Sequence, residues 1–383
     1  MAFKRIDTKL IHAGQPRIAG AVEMPIFQSA MFEYAGETSY HDLGYIRLNN
    51  TPNHKALHTK LAALENAEAA LITASGMAAI STTLLTVLSA GDHLLAQSTL
   101  YGGTQDLITH DLPRLGIAVD LIDADDASSW RAQLRPNTKA IYVEAMTNPL
   151  IEVADLEAVV AFARANKLVS LIDNTFATPV NFRPIETGFD LSLHSATKYL
   201  NGHADIVGGA VAGGAQWIER ITHRMNHLGG CMDPHAAFLL NRGLMTLALR
   251  IRHQNQSTLR IAQFLQDQPA VAKVNYAGLE SHPRHARARK LFTGFGGVLS
   301  FELRGSAEQA DALMGKLTIP AIAPSLGGIR SLITRPAVTS HSGLSREERQ
   351  RARIGDGLIR FSVGIEDTND LIEDLEQALR QVS

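Results

Sequence analysis

The chain has 383 residues, more than a single hydrophobic core usually serves, so two domains are expected. Hydrophobic residues make up 45% and charged residues 19%, which excludes a disordered chain, and a formal net charge of -2 gives no basic surface for nucleic acid or an acidic membrane. Cys231 is the sole cysteine, so no intrachain disulfide forms and a reducing, cytoplasmic setting is expected. The opening MAFKRIDTKL has no apolar core of signal-peptide type.

In chain order, residues 1–50 lack a clear period and read as an N-terminal arm that packs on something else. Residues 69–90 carry no charge and are long enough to span a bilayer, but seven of them are Ser or Thr and Gly76 lies inside, which suits a loop entering a buried helix better than lipid. Short apolar runs then recur at helix-length intervals: HLLAQS near 95, IAVDLID from 117, AIYVEA from 140, LVSLIDN from 168, FDLSLHS from 189 and IVGGAVAG from 206. Such alternation predicts an α/β domain with a mainly parallel sheet covered by helices on both faces, spanning 51–246. From 236 to 266 the spacing turns helical, and VAKVNYAG, GVLSFEL, LIRFSVGI and the amphipathic DLIEDLEQALRQV predict a smaller α+β domain over 247–383.

Ligands of open parallel sheets sit beyond the carboxyl ends of the strands. The residues there are Glu144, Asp173 and the segment His194 to Lys198. A lysine alone at a strand end is usually just solvated, and a strand-end aspartate is commonly a turn or cap residue. Together they suit pyridoxal 5′-phosphate (PLP), which needs a lysine for covalent attachment, an acid for its pyridine nitrogen and a cradle for its phosphate. The segment ASGMAA at 74–79 opens a helical run whose free amides would bind that phosphate, with Ser195 and Thr197 as hydroxyl donors. His54 and His58, like His223 and His227, are four apart, but neither pair has the glutamate of a zinc protease motif, and no metal is expected. Glycines 208, 209, 213 and 214 match neither a dinucleotide fingerprint nor a P-loop.

The motifs SATKYLNGHADIVGG, LIDNTFATP, TASGMAA, LYGGT and SLGG, in this sequence context, resemble the Cys/Met-metabolism family of PLP enzymes, from Tyr45 to the segment ending at 367. The family includes cystathionine γ-synthase, cystathionine γ-lyase, cystathionine β-lyase and methionine γ-lyase. The resemblance implies PLP fold type I and a homo-oligomer, a tetramer, with shared active sites. It implies that Lys198 carries the cofactor and shuttles protons, that Asp173 pairs with the pyridine nitrogen, and that Tyr101 stacks on the ring. Gly76 and Met77 would give amides to the phosphate, with Ser195 and Thr197 adding hydroxyls, and Tyr45 and Arg47 would reach the phosphate of the neighbouring subunit. Lys198, Tyr101 and Tyr45 are the implied catalytic residues. Asn148 would lie near the cofactor's phenolic oxygen and the substrate, and Arg360, helped by Ser325, would hold the substrate α-carboxylate, for which a planar guanidinium is suited.

Three places depart from the family pattern. Thr51 stands between Asn50 and Pro52 where the family reads Tyr-x-Arg-x-x-Asn-Pro, Met146 replaces a common proline, and SLGGIR carries Arg330 where a glutamate is usual. The third bears on substrate choice and makes Arg330 a candidate substrate-binding residue. The implied function is elimination or replacement on a small sulfur-containing or acylated amino acid, of cystathionine γ-lyase or γ-synthase type. Cystathionine β-lyase or methionine γ-lyase chemistry, an aminotransferase and a non-catalytic regulatory protein of the same fold remain the alternatives.

Overall fold

The computed structural model describes residues 3–34, 36–343 and 345–382. The chain divides into two compact units, one comprising residues 1–98, 106–144 and 155–248, the other residues 99–105, 145–154 and 249–383.

The first unit is built on a seven-stranded sheet of β1 (Ala69–Thr73), β2 (His93–Gln97), β3 (Ala118–Ile122), β4 (Thr138–Glu144), β5 (Val169–Asp173), β6 (Leu191–Ser195) and β7 (Gly209–Gly213), in spatial order β1-β7-β6-β5-β4-β2-β3. Strands β2 to β6 pair in parallel, while β7 runs antiparallel to both β6 and β1. Each apolar run from HLLAQS to IVGGAVAG forms a strand. Strand β1 was hidden in the uncharged stretch 69–90, which is a strand, a turn and a helix (Gly76–Val87) in succession. Ser75 caps that helix by accepting from the Ala78 amide at 3.0 Å. Strand β7 contains only Gly, Ala and Val because the chain crowds it: a Cβ on Gly209 would lie 2.2 Å from the Ser75 carbonyl oxygen.

The second unit holds a five-stranded sheet of β8 (Val271–Asn275), β9 (Val298–Leu303), β10 (Ala321–Ile322), β11 (Leu332–Thr334) and β12 (Ile359–Ser362), in order β10-β11-β12-β9-β8. Helices Ala307–Lys316 and Thr368–Val382 supply Leu313, Leu371 and Leu375 to a core shared with Tyr276, Phe301 and Phe361, all at most 1% exposed. Truncating such an aromatic to alanine costs about 3–5 kcal/mol. The helical stretch expected over 236–266 is two helices, Pro234–Leu244 and Leu247–Gln266. Hydropathy does not reveal the break, because apolar residues continue through Met245.

Candidate active site

Asp173 ends β5 and Ser195 ends the neighbouring β6, so both emerge at the carboxyl edge of the sheet. Thr175 joins them: its amide donates to Asp173 Oδ1 at 2.9 Å and its hydroxyl accepts from the Ser195 amide at 2.8 Å. Burial raises the Asp173 carboxyl above its ordinary range, against the lowering effect of the Thr175 hydrogen bonds and of His194. His194, on the adjoining residue of β6, is itself paired with Glu65 at 2.5 Å, both almost fully buried. Lys198 lies in the turn that follows β6, with its amide on Ser195 O at 3.1 Å and its carbonyl accepting from Gly202 at 2.8 Å.

The start of helix Gly76–Val87 packs against this turn. A Cβ on Gly76 would lie 2.8 Å from the Ser195 Cβ and 2.9 Å from its Oγ, so only glycine lets the helix terminus and that hydroxyl share one place. Met77 follows on the first turn of the same helix. Thr197 Oγ1 accepts from the Gly208 amide at 3.0 Å and donates to the Gly208 carbonyl at 3.2 Å. A hydroxyl has one proton, so donation to a phosphate would replace the bond to the carbonyl and leave the amide bond in place. These residues fit PLP: bare amides at a helix start, hydroxyls beside them, a lysine, and a carboxyl whose burial is relieved by an opposing cation.

Tyr45 and Arg47 belong to the same unit. Arg47 donates to Asn226 O at 2.8 Å and to the Tyr40 hydroxyl at 2.6 Å, with its guanidinium 5.6 Å from the centre of the Tyr45 ring.

The second unit brings together another set. Arg360, on β12 between Thr334 of β11 and Ser300 of β9, is 4% exposed. Its Nη1 donates to Asn148 Oδ1 at 3.2 Å and its Nη2 to the Ser325 carbonyl at 2.8 Å. Ser325 has φ 89°, a strained value for a residue with a side chain, and its carbonyl accepts from the guanidinium. His341, absent from the sequence reading, is buried beside this group, where burial and the charges of Arg360 and Arg349 lower its pKa to about 4. Nothing in its SHSG context marked it. Tyr101, 47% exposed, precedes the helix Gly102–Asp106. Arg330 is exposed on a turn whose next residue, Ser331, is held through amide and hydroxyl by Glu366 at 2.7 and 2.9 Å.

The family model described as "Cys/Met metabolism PLP-dependent enzyme" matches residues 7–380. The chain belongs to this family. It is 39% identical to an L-methionine gamma-lyase of Fusobacterium nucleatum subsp. polymorphum over 98% of either chain. It is 40% identical to a cystathionine beta-lyase of Lactococcus lactis over 98% of this chain and 99% of that one. The solved structure of cystathionine gamma-lyase from Lactobacillus plantarum complexed with L-serine superposes with a TM-score of 0.94 at 36% identity, covering 99% of each chain. As a member of this family the protein is a PLP-dependent lyase of sulfur amino-acid metabolism. Among the described residues, no helix is long and apolar enough to cross a membrane.

Proposed function

We propose that this enzyme cleaves the carbon–sulfur bond of a small L-amino acid by γ-elimination, with Lys198 as the lysine that carries PLP and moves the protons. The strand-end group of Lys198, Asp173 and Ser195 packed on the glycine-opened helix at Gly76 supports PLP chemistry on Lys198, and the similarity to a methionine gamma-lyase and a cystathionine gamma-lyase supports the γ position of the cleavage. When bound, PLP supplies an electron sink for the charge left at the substrate α-carbon. Asp173 would keep that sink strong by holding a proton on the pyridine nitrogen, and the Gly76 and Met77 amides with Ser195 and Thr197 would anchor the phosphate. Arg360, kept in place by Asn148 and the Ser325 carbonyl, would bind the α-carboxylate with its guanidinium. Tyr101 would stack on the ring. Lys198 Nζ would take the α-proton, and loss of a γ-group demands that a further proton leave the β-carbon, which suits a mobile amine.

Arg330 would govern the distal end of the substrate. Two unit charges ~4 Å apart interact by roughly 4 kcal/mol at an effective dielectric of 20, so an arginine there disfavours a distal ammonium and favours a distal carboxylate or succinyl group.

The enzyme is further proposed to be a cytoplasmic homotetramer in which Tyr45 and Arg47 complete the neighbour's phosphate site. The arm exposes Val22, Met31 and Tyr34, each at least 69% accessible, and large apolar side chains clustered on one segment favour coverage by a partner. Purified protein incubated with cystathionine, methionine, cysteine and O-acylhomoserines tests the reading by product identity. A 2-oxo acid with the carbon skeleton left by γ-elimination is expected, whereas pyruvate alone from cystathionine would assign β-elimination.

A further inference from the structure

Thr51, which interrupts the family pattern, is fully buried and occupies the N-cap position of helix Pro52–Glu65, yet its side chain makes no capping bond. Its hydroxyl lies 2.7 Å from His54 Nδ1 instead, and His54 Nε2 lies 2.6 Å from the Met232 carbonyl oxygen. A carbonyl only accepts, so Nε2 carries the hydrogen. Burial lowers the His54 pKa and keeps the ring neutral, which leaves Nδ1 without a proton, so Thr51 must be the donor to it. The hydroxyl therefore gives up the ordinary N-cap role and selects the imidazole tautomer.

Met232 is held at its carbonyl by His54, and also at its amide. Its amide donates to Asn49 Oδ1 at 3.3 Å, and Asn49, in a left-handed conformation at φ 56°, also donates to Ile72 O at 2.5 Å. The Met232 side chain presses on Gly208, where an added Cβ would meet its Cε at 2.6 Å. Gly208 is the residue whose backbone takes both hydrogen bonds of the Thr197 hydroxyl, next to Lys198. Two residues before Met232, the Gly230 carbonyl accepts from the Ala74 amide at 2.8 Å, at the entrance to the Ser75–Gly76 helix start.

We infer that His54, held in its donor tautomer by Thr51, is a positioning residue for the cofactor pocket, acting through Met232 on the segments 74–76 and 197–198. This rests on the assignment of PLP to those segments. With the clamp in place, both segments are ordered before the cofactor arrives. Without it, binding must order them, and affinity falls.

Apoprotein titrated with PLP, followed by absorbance and by melting temperature, tests this in Thr51→Val, Thr51→Ser, His54→Leu and His54→Gln. Thr51→Val removes the donor at nearly constant shape and His54→Leu removes the clamp, so both are expected to raise the PLP dissociation constant about tenfold. Thr51→Ser retains the hydroxyl and His54→Gln a donor toward Met232, so each is expected to stay within about threefold of the natural protein. An unchanged dissociation constant in Thr51→Val, with equal loss of melting temperature in the apo and PLP-loaded forms, would show a merely structural contact and overturn the inference. So would a loss in Thr51→Ser as large as that in Thr51→Val. Failure of the natural protein to bind PLP would overturn the cofactor assignment and this inference with it.

Discussion

Replacing Arg360 with leucine removes the proposed carboxylate holder from a place that is 4% exposed. The guanidinium donates to Asn148 Oδ1 and to the Ser325 carbonyl, and these bonds fix its plane. Truncating one partner of a buried, hydrogen-bonded charge pair costs about 2–5 kcal/mol, so kcat/KM should fall by on the order of a hundredfold. Arg360→Lys keeps the charge but lacks the planar fork that meets a carboxylate with two parallel hydrogen bonds, and an intermediate loss of about tenfold is expected. The assay is kcat/KM for methionine and for the amine that lacks its α-carboxylate, in the natural enzyme and in Arg360→Leu. In the natural enzyme, removing the carboxylate should cost about as much as the substitution does, and in the variant it should cost little more. A variant that loses less than about threefold, or that discriminates between the two compounds as strongly as the natural enzyme, would refute the assignment.

The Asp173 carboxyl is raised by burial, so its contribution to apoprotein stability is present below the unfolded pKa and is lost as pH rises through the folded one. Apo Asp173→Asn should therefore lose less melting temperature than the natural apoprotein between pH 4 and 7, while its PLP affinity falls; parallel pH profiles would contradict this. Mixing inactive Arg47→Ala with inactive Lys198→Ala chains, under conditions that exchange subunits, should restore some activity, because one hybrid site keeps both residues. Recovery of none, or a fully active monomer on gel filtration, would argue against shared sites. Arg330→Glu should improve kcat/KM for cystathionine relative to O-succinylhomoserine, and an unchanged ratio would mean that Arg330 selects nothing.

The strands of the first sheet were legible because β2, β4, β5 and β6 are buried on both faces and read as apolar runs. The direction of β7 was not, since pairing sense leaves no mark in a five-residue run of Gly, Ala and Val. Strand β1 was lost in an uncharged stretch where strand and buried helix have the same composition. At the candidate site, lysine, aspartate and the glycine-opened helix carried a chemical requirement that sequence order expresses. What stayed illegible are contacts made by backbone geometry: the bond from Arg360 to the carbonyl of Ser325, a residue of positive φ, and Thr175 bridging β5 and β6. Thr51 appeared only as an irregularity in a motif, and its hydrogen bond to His54 supplies a physical reason for it.

Reduction of the PLP-loaded enzyme with borohydride, followed by peptide mapping, identifies the cofactor lysine, because it fixes the cofactor to the amine that carries it. A single pyridoxyl-phosphate adduct is expected on the peptide containing Lys198, absent from Lys198→Ala, which should also lack turnover and the visible absorption of the natural protein. An adduct on another lysine, or a Lys198→Ala enzyme that retains normal rates and spectrum, would contradict it.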